Sequence, residues 1–99
     1  MRKVTREAIQ AFNAGRVGSF GSNTRVELSP LGHMLVLKLH GNAIARKDVE
    51  TGQVEVCDGG WQSNTTKERL NGLAGVSVNQ KNWIWYLNGE EWDGSWTAI

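Results

Sequence analysis

Ninety-nine residues with a formal net charge of +1, twelve glycines, one proline and one cysteine describe one small domain over residues 1–99 with a core of its own. The lone cysteine, Cys57, excludes an intrachain disulfide, so packing alone must hold the fold, and a reducing cytosol is the expected compartment. No window approaches the roughly 18–20 apolar residues that span a bilayer, and Met1-Arg2-Lys3 leads into no apolar run of signal-peptide length, so the expected protein is soluble, cytoplasmic and without a membrane partner.

The charge is unevenly spread. Up to Lys47 there are eight Lys/Arg against two acids, +6; from Asp48 onward there are three against eight, −5. Such asymmetry marks a binding face if the halves stay apart in space, and means little if the strands interleave them.

Thr5 to Ala14 is predicted as a first helix, capped by Thr5, stopped by Gly15 and carrying a short apolar stripe of Val4, Ala8 and Ala11 or Phe12. Gly15 to Asn23, rich in glycine and serine, is expected to be a loop. Thr24 to Ser29 alternates as a half-buried strand with Val26 and Leu28 inward. Ser29-Pro30-Leu31-Gly32 has the pattern of a β-turn. His33 to Leu39 follows as a longer strand with Leu35, Leu37 and Leu39 on one face. The step Leu39-His40-Gly41-Asn42 admits two readings: a tight turn that pairs Leu37 with Ile44, or a continuous strand with a bulge. Gln53 to Cys57 completes a four-stranded meander, with Cys57 on the polar phase and expected to be exposed.

Thr65-Thr66-Lys67-Glu68 reads as a capping box that opens a second helix, closed by Asn71-Gly72 and anchored by Leu70 and Leu73. A strand from Val76 and Val78 is expected to turn near Gln80-Lys81-Asn82. Asn88-Gly89 is the strongest hairpin signal in the chain, because both residues tolerate positive φ. Counting outward, Leu87 faces Glu90, Tyr86 faces Glu91, and Trp85 faces Trp92. The expected fold class is α+β: an antiparallel β-meander sheet of five to seven strands with two short helices packed on one face.

Little in the chain specifies chemistry. His33 and His40 have no zinc-ligand spacing, Cys57 has no base beside it, and the acids Asp48, Glu50, Glu55, Asp58, Glu90, Glu91 and Asp93 fall in or beside turns. Gly15, Gly18 and Gly21 follow no strand of the kind a phosphate loop needs. No catalytic residue, metal or cofactor is expected, and an enzyme is not. Nucleic-acid binding has its ingredients in basic side chains and aromatics, but Glu90, Glu91 and Asp93 beside Trp92 would repel phosphate. Trp61 has two readings, a core plug between helix and sheet, which is preferred, or an exposed anchor ringed by Asn64, Lys67 and Arg69. Trp96, near the end of the chain, is a second candidate for surface contact.

Four stretches carry a resemblance over nearly all of the chain beyond the first helix: Ser22-Asn23-Thr24 with Val26; Leu39-His40-Gly41-Asn42-Ala43-Ile44-Ala45; Gly60-Trp61-Gln62-Ser63-Asn64-Thr65-Thr66-Lys67-Glu68-Arg69-Leu70-Asn71; and Trp85-Tyr86-Leu87-Asn88-Gly89 with Trp92. Together they resemble a family of short proteins encoded by tailed bacteriophages, for which no shared activity is implied. What the resemblance implies is a context, in which small phage proteins act by adhering to a host machine. The expectation is a non-enzymatic phage protein, monomer or homodimer, that binds and inhibits or redirects a host protein or complex, such as a defence effector in the manner of an anti-CRISPR. The partner-binding residues would be Trp61, Asn64, Lys67, Arg69 and Trp96. The alternative is a small nucleic-acid-binding accessory protein.

Overall fold

In the computed structural model, which describes residues 2–99, helix α1 (Lys3–Ala14) lies against β1 (Gly18–Phe20), β2 (Thr24–Leu28) and β3 (Met34–Leu39). Gly15 ends α1 in the left-handed region at φ 73, its N–H reaching Ala11 and Phe12 carbonyls. The start of α1 differs from expectation. The N-cap is Arg2, with no side-chain cap bond, and Thr5 lies one turn inside the helix, fully buried. Its hydroxyl is spent on Glu68 and Arg69, far along the chain, rather than on a local amide. The stripe Ala8, Ile9, Ala11 and Phe12 is buried against the sheet, with Val4 half-buried. Full burial of a residue such as Phe12 stabilises by about 1.5–3 kcal/mol.

The main sheet continues through β4 (Asn42–Asp48) and β5 (Val54–Val56) to β9 (Thr97–Ala98), all antiparallel, in the order β1-β2-β3-β4-β5-β9. Alternation in β3 sets Leu35, Leu37 and Leu39 into the core beside Val26, Ala45 and Val56. Two expectations fail here for reasons of edge and register. Leu28 is 51% exposed, because it stands at the end of its strand where the helix no longer covers it. Part of the expected loop is strand β1, held by pairing with β2 rather than by any pattern of its own. The Ser29–Gly32 turn forms, with Gly32 N–H bonded to Ser29 O at 2.8 Å.

At the β3–β4 junction both readings of the sequence are realised. His40 (φ 52) and Gly41 (φ 80) form a two-residue turn that pairs Leu39 with Asn42. One pair further on the register shifts, so that Leu37 faces Ala45 instead of Ile44. Ile44 is the extra residue of a bulge, and both it and Ala45 are buried. Cys57 is likewise buried, its thiol directed at Ala43 O at 3.1 Å, and burial pushes that thiol up from its ordinary pKa. Lys47, at the far end of β4, donates from Nζ to the Phe12 and Asn13 carbonyls at 2.8 and 3.3 Å, placing a cation at the negative end of α1.

Helix α2 (Asn64–Leu70) is capped by Ser63, whose Oγ accepts from Thr66 N at 3.1 Å. The expected box at Thr65 therefore lies two residues too late, and Glu68 turns away to Thr5 and Arg69. Leu70 and Leu73 are buried as anchors. A second sheet of three strands, β6 (Val78–Lys81), β7 (Ile84–Leu87) and β8 (Glu90–Glu91), adds its buried Val78, Trp85 and Leu87 to the same core as both helices. Asn88 (φ 51) and Gly89 (φ 87) make the expected turn, with Leu87 facing Glu90 and Tyr86 facing Glu91. Trp92 N–H donates to Trp85 O at 2.8 Å, and the two indole centroids stand 6.3 Å apart. The other turn falls later than expected, at Asn82-Trp83 rather than Gln80–Asn82, with Lys81 facing Ile84. No helix among the described residues is long and apolar enough to cross a membrane.

Candidate functional site

The segment between β5 and α2 is tied down by hydrogen bonds yet leaves a large apolar side chain exposed. Trp61 N–H bonds to Asp58 O at 3.3 Å, and Trp61 O accepts from Thr66 Oγ1 at 3.2 Å. Asp58 is itself fixed: its N–H reaches Gly94 O at 2.9 Å, and its carboxylate accepts from Gly60 N–H at 2.7 Å. Gly94, at φ 87, is needed for this approach, since a Cβ there would collide with the Asp58 carboxylate. The indole of Trp61 is nevertheless 72% exposed, which overturns the preferred reading of a core plug. A large apolar side chain on a pinned backbone loses little further freedom on binding, which is what an anchor requires.

Beside Trp61 opens a pocket of about 340 Å³, lined by Leu39, His40, Asn42, Ile44, Asp58, Gly59, Trp61, Ser63 and Thr66. Its inner end is closed by the nearly buried Leu39 and Ile44, from the β3–β4 turn and the bulge, and Trp61 is the well-exposed apolar side chain of its lining. Its rim is polar.

A second tryptophan belongs to this end of the molecule. Asn71 bonds to Val78 through both its side-chain amide groups, and Lys67 Nζ donates to Gln80 Oε1 at 3.2 Å. β6 therefore runs back along α2, and its turn points toward the helix N-terminal end, where Trp61 stands. At that turn Trp83 is 90% exposed and sits at φ 69, a conformation that a bulky residue adopts at a cost of about 1–2 kcal/mol. Ile84, beside it, is 39% exposed. Asn82 falls within the turn expected from sequence, and the positive φ continues one residue further, to Trp83.

The residues singled out from sequence distribute unevenly. Asn64 is exposed, and Lys67 is half-buried, its ammonium 5.5 Å from the Trp85 ring. Both accompany Trp61 at this end. Arg69 does not: it is 1% exposed, donating from Nε to Thr24 Oγ1 at 3.1 Å and from Nη1 to Thr5 Oγ1 at 2.6 Å, with the Glu68 carboxylate as its ion partner. It faces inward on α2 and binds the protein to itself. Burial alone would raise the Glu68 carboxyl, but the Thr5 hydrogen bond and the Arg69 charge outweigh it and hold the pKa below its ordinary value. Trp96 is half-buried under the Arg46 guanidinium, 4.0 Å from the ring centroid, and lies across the Asp58–Gly60 turn in a separate, shallow depression.

The acids expected to discourage nucleic acid, Glu90, Glu91 and Asp93, stand beside a buried Trp92, so the exposed indoles are not theirs. Hydrogen bonds from the Ser95 hydroxyl and N–H hold the Asp93 carboxyl below its ordinary pKa. The sheet order follows the sequence order from β1 to β5, so the basic half is not interleaved with the acidic half within the main sheet. Among the described residues no group of three His, Cys, Asp or Glu side chains is arranged to hold a metal ion. The family model described as Kyanoviridae Gp96 protein matches residues 1–98. No curated protein and no solved structure matches the chain.

Proposed function

Since the chain belongs to the Kyanoviridae Gp96 family, a phage protein family, we propose that it works by binding a protein of the infected host rather than by catalysis. The observation that carries this reading is Trp61, a 72% exposed indole whose backbone is hydrogen-bonded to Asp58 and Thr66, at the mouth of a pocket. Trp83 adds a second exposed indole at the same end, and Asn64, Lys67, Gln80 and Lys81 supply a polar surround. A few aromatic anchors inside such a rim provide most of the affinity of a typical protein interface. The bound protein is inhibited or redirected in the host cytosol, and a defence effector, in the manner of an anti-CRISPR, is the target class that suits a small adhesive phage protein.

The test is recovery of one stoichiometric host protein or complex with the tagged chain from infected cells, identified by mass spectrometry and lost when Trp61 is replaced. Recovery of no stoichiometric partner contradicts the reading.

A second reading rests on the same exposed indoles: Lys67 and Lys81 lie on the elements that carry Trp83 to this end, beside the single acid Asp58 of the pocket, and basic side chains with exposed indoles suit single-stranded nucleic acid. It requires retention on a polyanion column that weakens steeply with salt. Passage straight through at low salt removes it.

A further inference from the structure

We propose that Trp83 and the Trp61 pocket recognise each other between two copies of this chain, forming a two-fold pair in which each copy inserts its Trp83 into the pocket of the other. Trp83 is held outward by backbone conformation, at φ 69, and is 90% exposed, so it fills no pocket of its own molecule. The pocket, at about 340 Å³, lies at the small end of the roughly 300–1,000 Å³ range of ligand cavities and is sized for one aromatic side chain. Trp61 at its edge offers an exposed ring for an indole to pack against, above an inner end closed by the nearly buried Leu39 and Ile44.

Placement decides the symmetry. Knob and socket lie at the same end of the molecule, because β6 runs back along α2 toward Trp61. That is the arrangement an isologous contact needs, each copy giving and receiving one side chain; on opposite ends, the same contact would propagate into a filament. Charge agrees with it. Lys81 precedes the knob by two residues, and Asp58 lines the socket, so each insertion carries an ammonium toward a carboxylate of the other copy. A net charge of +1 leaves little repulsion between copies.

This goes beyond host binding: the pair would shelter both exposed tryptophans until a host protein competes for them. The two readings are separable, since pairing is measured on purified protein with no host factor present.

The experiment is sedimentation velocity on the full chain over about 1–100 μM, where a modest interface titrates. The wild-type chain is expected to pass from monomer to dimer. Trp83→Gly, which suits a positive φ and so keeps the turn, is expected to remain monomeric. So is Asn42→Phe, which blocks the pocket from an exposed position. Lys81→Glu is expected to weaken pairing about tenfold by setting two carboxylates together. A wild-type chain that stays monomeric throughout, a Trp83→Gly chain that pairs like wild type, or assembly beyond the dimer overturns the proposal.

Discussion

The Nη1 of Arg69 meets the Thr5 hydroxyl at 2.6 Å, joining α2 to α1 across 64 positions of the chain. Nε of the same guanidinium reaches Thr24 on β2 at 3.1 Å, and the Thr24 hydroxyl in turn donates to Asn23 Oδ1 at 2.8 Å. One buried cation thus ties two helices to the main sheet, and every buried side-chain polar atom among the described residues has a partner. A charge is tolerated in the interior only under such conditions.

Arg69→Ala removes the cation and leaves Thr5, Thr24 and Glu68 without it. The expected loss is about 3–5 kcal/mol, a large part of the roughly 5–15 kcal/mol that holds a small domain together. Arg69→Lys keeps the charge but cannot reproduce the planar fork, and a loss of about 1–3 kcal/mol is expected. Urea denaturation followed by tryptophan fluorescence measures both.

Acid should loosen the same junction. The Glu68 carboxyl is held below its ordinary value of 4.5. A depressed folded-state pKa means its stabilisation is fully present above that ordinary value and is lost as pH falls through the lower folded-state value. Glu68→Gln is expected to be less stable than wild type at pH 7 and to show a shallower decline between about pH 5 and 3. Some slope should remain, because a Lys38 hydrogen bond lowers Glu27 and backbone amides at Thr51 and Glu50 lower Asp48. Thermal melts across that range give the comparison; equal slopes for the two proteins would contradict it.

How much of this was legible beforehand depended on how local the determinant was. Alternation in 35–39 and the Asn88-Gly89 step are nearest-neighbour signals, and the structure places those strands, their turn and the Trp85–Trp92 contact as read. Thr5 and Glu68 were read as local caps because their nearby partners were visible in sequence. Arg69, which claims both, lies 64 positions from Thr5. The same distance effect hid Arg69 itself: an arginine in a polar helix reads as solvated until its inward partners are known. Trp61 and Trp83 were harder still, since an indole usually gains by burial. Only the pinned backbone of one and the positive φ of the other keep them out.

Trp83 carries a stability cost that can be removed. Trp83→Gly relieves the left-handed strain, so the variant is expected to gain about 1 kcal/mol, or about 4–8 °C in melting midpoint for a domain of this size. Differential scanning calorimetry at low concentration, where pairing does not contribute, is the check. A lowered midpoint would mean that the indole supports the fold.

The C-terminal ribbon should behave in the opposite way. Trp92 is 7% exposed, and its indole N–H reaches both Ser95 O and Thr97 Oγ1 at 3.0 Å. Trp92→Ala is expected to cost about 3–5 kcal/mol, through the cavity and the lost link to β9. Hydrogen exchange at β5 and β9 amides should quicken in step with the denaturation midpoint.

Trp61→Ala separates folding from binding most directly. The side chain is exposed and its backbone bonds remain, so stability should change by no more than about 0.5 kcal/mol. Calorimetric titration of the captured host protein against wild type and Trp61→Ala should then show affinity falling at least about thirtyfold, the roughly 2 kcal/mol of an interface anchor. A folded Trp61→Ala chain that binds its host protein as tightly as wild type would contradict the assignment of this end as the binding surface.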